Sequence, residues 1–98
     1  MKFTVIDTIQ LNDAQYRHFP DWKQKYGSDG LLVVLDPLEV TEPPVAAGAV
    51  ITIHRPDGSS MKHCVTVAER PSTAVGLFLS GLKSDDVPRL SYIETHEI

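Results

Sequence analysis

The residues best suited to chemistry are two histidines and a cysteine near the middle of the chain. His54, His63 and Cys64 have side chains that can bind zinc, and a cysteine beside a histidine can act as a nucleophile. Adjacent residues of a strand point to opposite faces, so His63 and Cys64 cannot meet at one site. The sequence therefore predicts no metal site, no catalytic residue and no cofactor.

A glycine-bearing segment, residues 76–84, has some of the composition of a phosphate-binding loop. That motif requires a lysine directly after its last glycine, whereas Leu82 separates Gly81 from Lys83. The apolar residues 77–79 are typical of a strand rather than of a loop whose amides surround a phosphate. The segment is therefore predicted to be a strand followed by a turn.

Aromatic residues recur at helical spacing soon after the first strand, at Tyr16, Phe19, Trp22 and Tyr26. Cations lie among these rings, so the segment could present stacking faces beside positive charge. The favoured alternative is that the rings pack into the core and close one end of a barrel. The candidates for binding in this segment are Tyr16, Arg17, Trp22, Lys23 and Tyr26.

Alternation at the start of the chain predicts a half-buried strand over residues 3–11, interrupted at Ile6 and Asp7. Its apolar face consists of Phe3, Val5, Ile9 and Leu11. Asn12 followed by Gln15 matches a helix capping box, and Gly27 suits a C-terminal cap. A short helical insert is therefore predicted over about residues 12–29.

A continuous apolar run predicts a buried strand over residues 30–35, continued by residues 38–41 after a kink at Pro37. Residues 42–44 form a stiff connector. In residues 55–59, Arg-Pro-Asp-Gly-Ser, proline and glycine predict a hairpin with a three-residue loop. That loop length pairs residue 55 with 59, 53 with 61 and 51 with 63. The face that these pairs define consists of Ile51, Ile53, Met61, His63, Val65 and Val67.

Two further strands are predicted over residues 73–82 and 90–95, with turns at residues 69–72 and 85–88. The chain then holds six strands in 98 residues, which is too short for a second domain. An all-β (mainly β) single domain over residues 1–98 follows. So many short strands indicate a closed barrel or a sandwich.

Residues 75–89, Val-Gly-Leu-Phe-Leu-Ser-Gly-Leu-Lys-Ser-Asp-Asp-Val-Pro-Arg, resemble a segment of the β-barrel second domain of translational GTPases of the elongation factor Tu class. Residues 45–69 are similar to its preceding hairpin and residues 30–39 to an earlier strand. The resemblance implies a small closed six-stranded, translation-protein-like barrel, and Arg89 joins the binding candidates. Two features depart from the family: Leu90 stands where it usually has glycine, and the GTP-binding domain is missing.

Composition bears on partners and on the cellular compartment. A formal net charge of −4 argues against a broad nucleic-acid surface and in particular against DNA. The lone Cys64 excludes an intramolecular disulfide, and the first residues lack the apolar run of a signal peptide. No run of apolar residues reaches membrane-spanning length. We therefore expect a soluble cytoplasmic protein.

Two hypotheses about function follow. The first is a non-catalytic binding module that holds a protein partner, a second copy of itself or RNA, with the family resemblance favouring the translation machinery. The second is a small enzyme or ligand carrier with a pocket at the barrel mouth. In that case His54 or His63 would be the acid or base near neutral pH.

Overall fold

The computed structural model describes residues 2–36, 46–69 and 75–95. Two short helices follow the first strand: α1 spans Asp13–His18 and α2 spans Pro20–Tyr26. A 3-10 helix over Ser84–Asp86 precedes the last strand. The strands are β1 Lys2–Leu11, β2 Gly30–Leu35, β3 Val50–His54, β4 Ser60–Cys64, β5 Val67–Glu69, β6 Val75–Ser80 and β7 Tyr92–Thr95. The prediction of a mainly β protein with a helical insert after the first strand is confirmed.

The strands form one antiparallel sheet of seven strands in the order β4-β3-β7-β1-β2-β6-β5. The sheet is open along this order, so the predicted closed six-stranded barrel is not confirmed. The additional strand arises because the predicted strand after the hairpin is divided into β4 and β5. These two strands lie at opposite edges of the sheet although only Val65 and Thr66 separate them along the chain.

The residues between β4 and β5 change the strand that they contact. The Val65 amide donates to the Ala49 carbonyl at 2.9 Å, whereas the Thr66 amide donates to the Phe78 carbonyl at 2.9 Å. The face of the sheet to which the side chains point also changes here. Val65 packs with Ile51 and Ile53 in one apolar cluster, whereas Val67 packs with Tyr26 and Phe78 in a second one. The prediction that Val67 shares a face with Val65 is therefore wrong.

A bulge in β1 separates the two ends of that strand. Its pairing with β2 shifts register between Val5 and Asp7, at the interruption visible in the sequence. One extra residue moves the following side chains to the opposite face. Phe3 and Val5 therefore pack in a different cluster from Leu11, and the prediction that they share a face is wrong.

The apolar side chains pack into two clusters. The inner cluster includes Leu31, Val33, Ile53, Leu77 and Ile93 from β2, β3, β6 and β7, all fully buried. The outer cluster consists of Leu11, Tyr16, Tyr26 and Phe78, with Trp22, Leu32 and Val67 packed against it. The insert thus covers one face of the sheet near β2 and β6.

The local signals that predict the insert are present in the structure. The Asn12 side chain accepts from the Ala14 amide at 3.0 Å, and the Gln15 side chain accepts from the Asn12 amide at 3.2 Å. Pro20 is the first residue of α2, and Gly27 caps the C-terminus of that helix in a left-handed conformation. Helices of six and seven residues are marginal alone, so their packing on the sheet stabilises them.

The predicted hairpin register is confirmed. Ile53 pairs with Met61 and Ile51 with His63, and the Arg55 amide donates to the Ser59 carbonyl at 2.8 Å. Gly58 adopts a φ of 91°, which a residue with a side chain rarely adopts. The turn chemistry therefore sets the pairing of β3 with β4.

Several predictions fall outside the described residues. They are the kink at Pro37, the continuation of the second strand over residues 38–41, the connector at residues 42–44 and most of the turn at residues 69–72. Neither helix in the described part of the chain has the length and apolar character needed to cross a bilayer.

Candidate binding surface

Two tyrosines attach the helical insert to the sheet. Tyr16 and Tyr26 are both buried, and the Tyr26 ring contacts Phe78 of β6 with centroids 4.7 Å apart. The Tyr16 hydroxyl donates to the Ser28 carbonyl at 2.6 Å, and the Tyr26 hydroxyl donates to Glu69 Oε1 at 2.6 Å. These two predicted binding residues therefore lie in the outer cluster.

The surroundings of both hydroxyls favour the protonated phenol. Burial raises the pKa of Tyr26 above its usual value, and the hydrogen bond to Glu69 and the charge of that carboxylate raise the pKa further. Burial also raises the pKa of Tyr16, with a smaller contribution from Asp29. Lys25 forms an ion pair with Glu69 beside this contact. These groups hold the insert in place and are not poised to act as bases.

The other two rings of the insert form a stacked pair at its surface. Phe19 and Trp22 have centroids 4.3 Å apart and planes inclined by 16°. Trp22 is half-buried against the outer cluster, whereas Phe19 is 49% exposed. The Phe19 ring therefore lies partly in solvent and stacks on Trp22, which itself rests on the outer cluster. The exposed side of this pair is an aromatic surface that is not used in packing the core.

Residues of both α1 and α2 form a groove on the insert. Asp13, Tyr16, Arg17 and Lys23 line the groove, which has a volume of about 340 Å³. Arg17 and Lys23 are exposed, and neither takes part in the carboxylate contacts seen among the described residues, Lys25 with Glu69 and His54 with Glu94. The two cations can attract an anionic group, and Lys23 directly follows Trp22 along α2.

The structure places the remaining candidates away from this surface. His54 lies on β3, where Nε2 is 2.9 Å from Glu94 Oε1 and the ring stacks on Tyr92 at 4.4 Å. His63 lies on β4 with Nε2 2.9 Å from the Ser80 carbonyl oxygen. Arg89 is exposed in the turn before β7. Each histidine is thus engaged in a contact between strands, and neither lines a groove described here.

A second groove, of about 360 Å³, lies where β1 meets the turn after β6. Gln10, which lines it, donates to the carbonyls of Gly30 and Leu82 at 2.9 and 3.2 Å and accepts from the Ser84 amide at 2.8 Å. Its amide group is therefore committed to joining β1 to that turn. The polar side chain of Gln10 in this groove is therefore explained by the fold.

Metal ligands and nucleophiles do not converge in the part of the chain that the structure describes. No group of three or more His, Cys, Asp or Glu side chains there could hold a metal ion. Cys64 is exposed and unpaired, and it lies at the end of β4 opposite to the one that pairs with His54. The aromatic and cationic face of the insert is the strongest candidate site.

Sequence reasoning proposed four rings as one set and did not separate their roles. Phe19, which is not among the sequence-based binding candidates, is the most exposed of the four, and Tyr16 and Tyr26 are the most buried. The distinguishing signal is local: Phe19 occupies the junction between α1 and α2 and precedes Pro20. A junction residue projects away from both helices more readily than a mid-helix residue does.

Comparison of the chain with protein-family models, with curated proteins and with solved structures found no match. The resemblance to the barrel domain of translational GTPases therefore stays a prediction. Function is inferred from the geometry of the chain's own residues, above all from the insert.

Proposed function

We propose that this protein is a non-catalytic binding module whose partner binds on the exposed face of the helical insert. The observation that carries the proposal is the stacked Phe19–Trp22 pair, which keeps a phenyl ring about half exposed. The same two helices carry Arg17 and Lys23, which are exposed and make no carboxylate contact among the described residues. We name this surface, formed by Arg17, Phe19, Trp22 and Lys23, the insert face. Exposed aromatic residues flanked by arginine are typical of protein interfaces.

Crosslinking in the source cells tests this proposal. A photoreactive phenylalanine analogue replaces Phe19 in one variant and Leu90 in a second variant. Leu90 is 78% exposed and lies in the turn before β7, so it controls for nonspecific capture by an exposed apolar side chain. We expect one discrete crosslinked species from position 19 and none from position 90. Equal labelling from both positions, or labelling from neither, contradicts the proposal.

We further propose that the sheet closes into the six-stranded barrel that the family resemblance implies. Three observations support this. The Val65 amide donates to Ala49, just before β3, whereas the neighbouring Thr66 amide donates to Phe78 of β6, near the other end of the strand order. His63 reaches from β4 to the Ser80 carbonyl of β6. In addition, Leu90 adopts a φ of 69° at the position where the family usually has glycine.

Amide hydrogen exchange tests the closure. A closed barrel protects the Thr66 amide, which donates to Phe78, as strongly as the Val65 amide, which donates to Ala49. Rapid exchange at Thr66 together with slow exchange at Val65 would mean that the contact with β6 opens readily and that the sheet is not a closed barrel in solution.

The alternative of an enzyme or ligand carrier has less support in the geometry. His54 contacts Glu94 and Tyr92 on the sheet, and His63 is hydrogen-bonded to a backbone carbonyl. Neither ring faces a groove that could hold a substrate among those found in the described part of the chain.

A further inference from the structure

We infer that the ligand of the insert face is an extended segment of a protein partner that carries a carboxylate next to an aromatic or large aliphatic side chain. This inference rests on the proposed function and specifies the chemistry of its partner. Three features of the insert carry it: the position of the cations, the form of the aromatic pair and the presence of Asp13 in the same groove.

The cations are placed to bind a carboxylate. Arg17, from the last turn of α1, and Lys23, from α2, line one groove and are both exposed. The guanidinium group can donate two parallel hydrogen bonds to a carboxylate, and the ammonium group adds a second positive charge. The remaining lysine of α2, Lys25, is committed to Glu69 and to the Tyr26 ring, 5.4 Å away. Two cations therefore remain for a ligand.

The aromatic pair offers a single apolar surface. One face of Phe19 stacks on Trp22, which also packs against the outer cluster. The exposed remainder of the Phe19 ring is what is left for a ligand. That area suits one aromatic or aliphatic side chain, and Arg17 lies only two positions before Phe19 along the chain.

The same features disfavour single-stranded RNA. RNA-binding surfaces stack successive bases and follow the phosphate backbone with several cations, whereas the insert face has one free ring surface and two cations. The Asp13 carboxylate in the groove can accept a hydrogen bond from a peptide amide, a donor that the phosphate backbone of RNA lacks.

The test is an NMR titration of the isotope-labelled full chain with three probes at matched concentrations. The first is the peptide Ser-Asp-Glu-Phe-Glu-Leu-Ser. The second is its amide analogue, with Asn and Gln in place of the acidic residues. The third is an oligouridylate. Each probe is added to the wild-type chain, to the double variant Arg17→Ala/Lys23→Ala and to a control, Lys62→Ala, which removes an exposed cation from β4.

We expect the acidic peptide to shift the amide signals of residues 13–23, with affinity about tenfold weaker for the amide analogue and for the double variant. Lys62→Ala should bind as the wild type does. Shifts caused by the oligouridylate but not by the acidic peptide overturn the inference, as does the absence of shifts with all three probes. If crosslinking from position 19 still captures a partner in that case, the proposed function stands and only the peptide chemistry is wrong.

Discussion

Tyr26 joins parts of the chain that are 43 positions apart. It is the last residue of α2, and its hydroxyl donates a hydrogen bond to Glu69 at the end of β5. Tyr16 plays a more local part, since its hydroxyl bonds the Ser28 carbonyl at the end of the insert. Both rings lie in the outer cluster. At the scale of single residues, these contacts hold the insert against the sheet and so fix the position of the insert face.

Replacing Tyr26 by phenylalanine keeps the buried ring and removes the hydrogen bond to Glu69. We expect the free energy of unfolding to fall by about 1.5–3 kcal/mol, the range for a hydrogen bond to a charged group, and nearer the lower end because Glu69 keeps its contact with Lys25. Chemical denaturation measures the change. Tyr92→Phe is the matched control, because no hydrogen bond to the Tyr92 hydroxyl occurs among the described contacts. An equal loss in both variants would contradict this role of Tyr26.

The raised pKa values of Tyr26 and Tyr16 predict a loss of stability in alkali. The folded chain holds these protons more tightly than the unfolded chain, in which tyrosine titrates near pH 10. Below that pH both states are protonated and the stabilisation is complete, and above it stability falls as the pH rises. Denaturation midpoints measured across this range should decline less steeply for Tyr26→Phe than for the wild type. Parallel declines would show that Tyr26 is not the responsible group.

At the scale of elements, β2 approaches β6 closely where the Phe78 ring lies over Gly30. A Cβ atom at Gly30 would lie 2.6 Å from Phe78 Cζ and 2.7 Å from the Leu79 carbonyl oxygen. Both distances are shorter than a van der Waals contact. The glycine therefore allows Phe78 to reach the tyrosines of the insert.

Gly30→Ala should destabilise the fold by about 1–3 kcal/mol, because Phe78 or the backbone of β6 must move. Gly76→Ala is the matched control on the neighbouring strand, since a Cβ atom there meets Leu32 at 3.4 Å. Thermal denaturation compares the two variants. A smaller loss for Gly30→Ala than for Gly76→Ala would contradict the packing described for β2 and β6.

The turn before β7 contains the one non-glycine residue of positive φ in the described ranges, Leu90 at 69°. The left-handed conformation costs a residue with a side chain about 1–2 kcal/mol. Glycine avoids this cost, but it loses about 0.5–1 kcal/mol more in chain entropy when the protein folds. Leu90→Gly should therefore stabilise the fold by up to about 1 kcal/mol. Leu90→Ala keeps the Cβ atom and should give no such gain. Equal stabilisation by both would assign the effect to the exposed leucine side chain.

The elements set by local chemistry are those that the sequence predicts well. The capping box at Asn12 and the hairpin turn at residues 55–59 form as predicted, because each depends on groups within a few residues. The bulge after Val5 is visible only as a break in alternation at Ile6 and Asp7, and its consequence for Leu11 depends on pairing with β2. The contact of His54 with Glu94 joins β3 to β7, strands that are neighbours in the sheet but far apart along the chain, and it has no local signal.

At the scale of the whole molecule, the sheet carries apolar clusters on two faces. The inner cluster draws on β1, β2, β3, β6 and β7, whereas the outer one joins β2 and β6 to the insert. Alternation along each strand predicts the inner cluster well. It does not predict the outer cluster, because Phe78 alternates with Leu77 and Leu79 and so occupies a position that alternation alone assigns to the opposite face.

The candidate site depends on the outer cluster. Sequence spacing places the four rings on a helical insert but leaves their exposure open, since exposure depends on which rings the sheet contacts. Once Tyr16 and Tyr26 fill the space above Phe78, Phe19 and Trp22 are left at the surface. The insert face is thus a consequence of tertiary packing.

Trp22 allows the central claim to be measured directly, because it is the sole tryptophan of the chain and lies within the insert face. The measurement is acrylamide quenching of Trp22 fluorescence, with and without the partner that crosslinks from position 19. Bound partner should cover the Phe19–Trp22 pair, so the quenching constant should fall on saturation. An unchanged quenching constant at saturation would show that the partner binds elsewhere on the molecule.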